Sequence, residues 1–319
     1  MRVAAIDCGT NSIRLLIADH VVDEAAESEV LVDVLRRSEI VRLGQGVDTS
    51  GRLAPEALTR TLEMCREYAE ECRHHGVEPG RVRFVATSAS RDANNADEFV
   101  AGVREAFGEL DVSPEVVPGA EEAALSFAGA TSGLLEAGFE GPYLIADIGG
   151  GSTEIVRGTH EVVAGTSFDI GSVRLTERHH RTDPPTQEVI DAARFDIAEA
   201  LDEAEALVGL GGVATVVGLA GSVTTVAALA LELTSYDRAA IHLARIPIEE
   251  MMLACERLIL STRAERAAQP FMHPGRVDVI GAGALIWWEI LERARGANGP
   301  DLVVTVSERD ILDGIAMSI

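Results

Sequence analysis

Lysine is absent from all 319 residues, so each of the 27 permanently cationic side chains is an arginine. That absence removes the lysine of a P-loop, the strand lysine of a protein kinase, Schiff-base chemistry and any lysine general base. Cysteine is scarce: Cys8, Cys65, Cys72 and Cys255 form no C-x-x-C pair and have no histidine at metal-ligand spacing, so neither a disulfide framework nor a zinc site is suggested. Positive charge is in short supply as well, 27 basic against 52 acidic residues for a net charge of −25. Such a surface repels nucleic acid and anionic lipid unless arginine is locally concentrated. Apolar runs are broken by Asp, Glu, Arg or Gly well short of the roughly 20 residues of a membrane span. The chain opens directly into Met1-Arg2-Val3-Ala4-Ala5-Ile6-Asp7 with no export signal, so a cytoplasmic location is expected. If this protein handles phosphate, it must use backbone amides, hydroxyls, arginine and a metal.

What is present is globular: 47% apolar and 25% charged residues, with 30 Gly and 11 Pro. At roughly 150 residues per domain the length predicts two domains. An internal echo supports this. Asp7-Cys8-Gly9-Thr10-Asn11-Ser12 follows the apolar run Val3 to Ile6, and Asp147-Ile148-Gly149-Gly150-Gly151-Ser152 follows Tyr143 to Ala146, 140 positions later. Each is succeeded by a second apolar run, which predicts two related domains that each open with a β-hairpin. The remainder alternates. Strands are expected near 38–43, 82–86, 115–117, 162–168, 213–217 and 302–306. Helices are expected over 55–74, 96–107, from 120, and over 185–208, 223–232, 247–261 and 276–294. A last helix is expected with Ser307 as N-cap and Asp310 three residues on. The pattern is α/β.

Both hairpin turns supply what a metal–phosphate site requires. Glycine lets the backbone approach a phosphate, successive N–H groups form an anion nest, hydroxyls add donors, and the preceding Asp can bind Mg²⁺. A third glycine turn, Gly218-Leu219-Ala220-Gly221-Ser222-Val223-Thr224, leads into a helix. Three ordinary tight turns are the competing explanation.

Four segments in order, Ala5 to Arg14, Ala86-Thr87-Ser88-Ala89-Ser90-Arg91-Asp92-Ala93-Asn94, Gly119-Ala120-Glu121-Glu122-Ala123, and Ala146 to Glu154, resemble the exopolyphosphatase and guanosine pentaphosphate phosphohydrolase (Ppx/GppA) family. The resemblance implies two related domains of the actin-like, sugar-kinase-like (ribonuclease H-like) superfold with an active-site cleft between them. The first domain would hold 1–120 plus a returning helix at about 306–319, and the second 121–305. It implies Glu122 as catalytic base and Arg91 as the phosphate- or metal-site arginine. Asp147, Glu154 and Asp7 would be the carboxylates for Mg²⁺ or Mn²⁺. Gly9, Thr10, Asn11, Ser12, Gly149, Gly150, Gly151, Ser152 and Thr153 would form the phosphate cradle, with Gly171 and Arg174 lining the cleft. Longer members carry a further helical region, whose absence here favours short polyphosphate chains. Guanosine pentaphosphate or tetraphosphate is the rival ligand. A non-catalytic nucleotide sensor and an ATP-using kinase of the same superfold are rivals of other classes, the latter because related folds place nucleotide at the Gly218–Thr224 loop.

Read without the resemblance, Glu121 and Glu122 are acids in a first helical turn, complementing its dipole. Arg14 follows the first loop as a structural residue, and Cys8 is packing. The pairs His74-His75 and His179-His180 point apart on helices. Trp287 and Trp288 fill core or interface space, a hint of a homodimer. Ser307-Glu308-Arg309-Asp310 departs from the family pattern of Gly and Arg after a Ser, so a ligand contact there is in doubt.

Overall fold

A computed structural model describes residues 1–23, 28–179 and 182–319; of residues 22, 23, 28 and 29 it describes the backbone alone. The chain forms two compact units, Met1–Leu125 with Ile311–Ile319, and Ser126–Asp310. The divisions lie at 125 and 310, within and just before helices, where the sequence placed them at 120 and 305.

Unit 1 contains β1 (Arg2–Cys8), β2 (Ser12–Asp23), β3 (Ser28–Ile40), α1 (Val47–Ser50), α2 (Pro55–His74), β4 (Val82–Ala86), α3 (Ser88–Asp92), α4 (Ala96–Phe107), β5 (Glu115–Val116) and the first turns of α5 (Gly119–Glu136). Its sheet order is β3-β2-β1-β4-β5. The first three strands are antiparallel and the rest parallel. Residues Val3 to Cys8 are all buried, as expected of a central strand with both faces covered. On one face α2 lays down Leu58, Cys65, Tyr68, Ala69 and Cys72, with Pro55 at its first helical position. The Tyr68 hydroxyl donates to the Ile13 carbonyl (3.0 Å). The other face is covered by α13 (Ile311–Met317), whose Ile311, Leu312, Ile315 and Ala316 pack on Val3, Ala5, Leu16 and Ala18.

Unit 2 repeats the plan with β6 (Tyr143–Ile148), β7 (Thr153–Gly158), β8 (Val162–Phe168), α6 (Ser172–Arg178), α7 (Gln187–Leu207), β9 (Thr215–Leu219), α8 (Ala220–Ala230), α9 (Arg238–Ile241), β10 (Arg245–Pro247), α10 (Ile248–Leu260), α11 (Arg263–Ala267), α12 (Ile280–Asn298) and β11 (Val303–Val306). Its order is β10-β11-β9-β6-β7-β8. The first three strands are again antiparallel and the next two parallel to β6 and to each other; β10 is an added antiparallel edge. Both units therefore share one 3-2-1-4-5 order, and the fold is the two-domain actin-like α/β fold.

Two expectations about elements are corrected. The strand expected near 38–43 is the end of a ribbon made by β2 and β3, 12 and 13 residues long. The last helix starts at Ile311, and Ser307 is not its cap, because the Ser307 hydroxyl closes a local turn on Arg309 N–H and C=O (3.0 and 2.8 Å). Trp287 is wholly buried, in space that Gly218 leaves open: a Cβ there would stand 2.8 Å from the indole. Trp288 is partly buried under Arg194, whose guanidinium lies 5.0 Å from its ring. His74 and His75 meet edge to face at 5.1 Å, while His180 lies outside the described residues.

Candidate active site

In unit 1 the β1–β2 turn closes by Gly9 N–H to the Ser12 carbonyl (2.9 Å). The chain leaving β3 crosses the turn, and Gly44 N–H donates to the Thr10 carbonyl, Val41 and Arg42 N–H to that of Asn11. A planar peptide then turns the N–H groups of Asn11 and Ser12 to the opposite side. Thr10 Oγ1 shares a hydrogen with Ser88 Oγ at the start of α3 (2.9 Å). Asn11 Oδ1 and Ser90 Oγ are buried without a hydrogen-bond partner, the condition in which a ligand or water is expected.

Asp7 pairs across the hairpin with Arg14. Arg14 Nη2 and Nε reach Asp7 Oδ2 at 2.7 and 2.9 Å. The acid pair at the start of α5 divides. Glu121 is half-buried and held by Arg83 (2.8 Å). Glu122 is only 6% exposed and accepts from Arg91 Nη1 (2.9 Å), which also donates to the Val117 carbonyl (3.1 Å).

In unit 2 the same turn recurs, Gly149 N–H to the Ser152 carbonyl at 3.0 Å. Ser172 N–H donates to the Gly149 carbonyl, Val173 and Arg174 N–H to that of Gly150, and Arg174 Nε to that of Gly151 (2.6 Å). With three successive carbonyls tied to α6, the N–H groups of Gly150, Gly151 and Ser152 face the other way as an anion nest. Thr153 is spent on structure, its hydroxyl donating to the Ile170 carbonyl (2.6 Å). Gly171 is required because any Cβ would run into the backbone of Gly150 and Gly151.

Asp147 and Glu154 are direct cross-strand partners, and Glu154 in turn faces Ser167 on β8. The two carboxylates are 5% and 2% exposed. Like charges opposite one another on a buried face are unfavourable, and a divalent cation with oxygen preference is the usual remedy. Among the described residues no three His, Cys, Asp or Glu side chains come together as a metal cage. Two neighbouring carboxylates are the donor number that a magnesium-type ion takes from protein, completing its shell with water and phosphate.

The third glycine turn has other company. Ala220 is held at φ +66°, Gly221 faces the Arg276 guanidinium, and Arg276 Nη1 donates to Thr225 Oγ1 (3.3 Å). The Tyr236 hydroxyl bridges Thr224 Oγ1 (2.8 Å) and Glu308. Burial first, then the Glu308 carboxylate, pushes that phenol up to about 12. Glu308, in the segment that departs from the family pattern, is held by Tyr236 and by Arg238 (3.2 Å).

The sequence reading missed Arg14 as the partner of Asp7, Ser88 as the partner of Thr10, and the serines on Asp147 and Glu154. The first had a signal: a hairpin that closes between Gly9 and Ser12 sets position 7 opposite 14.

Two units of one strand order, each carrying a glycine loop and an acid at the end of its first strand, define a two-domain actin-like α/β protein. The chain belongs to the Ppx/GppA phosphatase family, whose sequence model matches residues 20–297. It is 53% identical over 320 residues, all of this chain and 98% of the other, to Exopolyphosphatase 2 of Mycobacterium tuberculosis. The crystal structure of an exopolyphosphatase-like protein matches with a TM-score of 0.90 at 42% identity, over 99% of this chain and 98% of that one. A Ppx/GppA family member from Aquifex aeolicus matches with a TM-score of 0.78 at 30% identity, over 100% and 97%. Among the described residues no helix is long and apolar enough to cross a membrane.

Proposed function

We propose that this protein is an exopolyphosphatase that releases orthophosphate from the end of inorganic polyphosphate, with Glu122 as general base. The observation that carries the reading is the buried Glu122 carboxylate, oriented by Arg91 at 2.9 Å while its neighbour Glu121 is turned outward to Arg83. Full-length similarity to a protein named Exopolyphosphatase 2 supports the substrate class. Water attacks the terminal phosphorus, Glu122 takes its proton, and the bond to the bridging oxygen breaks, leaving a chain one phosphate shorter. The Gly150, Gly151 and Ser152 N–H groups bind phosphate oxygens, with Asn11 and Ser12 in the same role in unit 1. Asp147 and Glu154 would hold Mg²⁺ or Mn²⁺, and the ion would neutralise charge on the phosphate oxygens.

The test is orthophosphate release, with Mg²⁺, from short polyphosphate, long polyphosphate, guanosine pentaphosphate and ATP in parallel. Release from polyphosphate is expected to fall by a factor on the order of 10² in Glu122→Gln with chain binding retained. Turnover like that of the wild type in this variant would sink the base assignment. Release from guanosine pentaphosphate alone would move the substrate to alarmones.

A further inference from the structure

A serine inside a helix ordinarily returns its hydroxyl to a carbonyl of the preceding turn. In α5 two residues do so: Thr131 donates to Phe127 (2.7 Å) and Ser132 to Gly129 (2.8 Å). Ser126, fully buried on the same helix, does not. Its hydroxyl donates to Asp147 Oδ2 at 2.7 Å. On the other side of the acid pair, Ser167 Oγ donates to Glu154 Oε1, also at 2.7 Å. Each carboxylate of the Asp147–Glu154 pair therefore has one oxygen held by a hydroxyl from a different element, a helix for one and the edge strand β8 for the other.

Two like charges directly opposite on a sheet tend to rotate their carboxylates apart. A hydrogen bond from each flank opposes that rotation and fixes which oxygen of each is presented to a cation. We infer that Ser126 and Ser167 are positioning residues that pre-set Asp147 and Glu154 for a divalent ion. The inference rests on the metal-assisted reading above. Neither serine lies in the four segments that carry the family resemblance.

The test is Mn²⁺ binding to the full chain, read by the loss of the free-ion electron paramagnetic resonance signal, with thermal melts recorded without metal. Ser167 suits an isosteric pair, because β-branched residues are accommodated on a strand. Ser167→Thr keeps the hydroxyl and Ser167→Val removes it at the same shape. Ser167→Val is expected to bind Mn²⁺ ~10-fold more weakly than Ser167→Thr, the range found when the outer partner of a metal ligand is lost, with equal metal-free melts. Ser126→Ala is expected to show a similar loss. Equal affinity in the Val and Thr variants, with binding still abolished in Asp147→Asn, would overturn the positioning role and leave the metal reading standing. Wild-type protein that binds no more Mn²⁺ than Asp147→Asn would overturn both.

Discussion

The hairpins that open the two units share their turn, their closing hydrogen bond and the crossing chain that ties down the loop carbonyls, yet they differ at one cross-strand position. Opposite Asp7 stands Arg14; opposite Asp147, 140 residues later, stands Glu154. The first row across the sheet, Asp7, Arg14 and Ser38, neutralises itself with a 2.7 Å ion pair. The second, Asp147, Glu154 and Ser167, concentrates two negative charges and surrounds them with hydroxyls. A repeated fold has thus been given two electrostatic characters by one residue, and the proposed cation belongs with the second.

The largest effect should come from making the second hairpin like the first. Glu154→Arg is expected to abolish Mn²⁺ uptake and lower orthophosphate release by a factor on the order of 10² or more, since a guanidinium then takes the place of the ion. Retained uptake would break the comparison. Next comes the loop support. Gly171→Ala, which forces a methyl into the Gly150–Gly151 backbone, should cost about 2 kcal/mol in urea unfolding. Removing the partner of Asp7 by Arg14→Met should cost a similar ~2 kcal/mol, the range for charged hydrogen bonds, while leaving Mn²⁺ affinity at the second hairpin unchanged. Gly9→Ala sharpens the contrast from the mild side. Its Cβ would lie 3.6 Å from the Ser12 carbonyl, an ordinary contact, so the melt should move little; Gly149→Ala, at 3.0 Å from the Ser152 carbonyl, should move it more. Thiol alkylation of the native protein at pH 8 should change nothing. Burial pushes Cys65 and Cys72 up to about 12 and holds Cys8 and Cys255 well above their ordinary value, so none is a thiolate. Rapid inactivation would contradict the packing role of Cys8.

Much of this was legible because it is local. A hairpin turn is written in its own glycines, and α2 announces itself by Pro55 and its apolar stripe. The long β2–β3 ribbon was not legible, since polar residues such as His20, Asp33, Arg36 and Arg37 interrupt its apolar run and a bulge at Ile17/Ala18 shifts its register. Ser307 misled because a capping-box spacing is also satisfied by a serine that folds back on Arg309. Without the family resemblance Glu122 and Glu121 are equivalent in sequence; in the structure the positions of Arg91 and Arg83 separate them. Ser167 was hidden for a similar reason. Its register with Glu154 depends on the irregularity at Arg157/Gly158, which no spacing rule counts.

The placement of α13 sets an order of events during synthesis. The sheet of unit 1 is made first, yet the face holding Val3, Ala5, Leu16 and Ala18 waits for Ile311, Leu312 and Ile315. A ribosome must emit all of Ser126–Asp310 before it delivers them. The nascent first unit therefore leaves part of one sheet face uncovered, and unit 2 has its own core from the moment its last strand emerges.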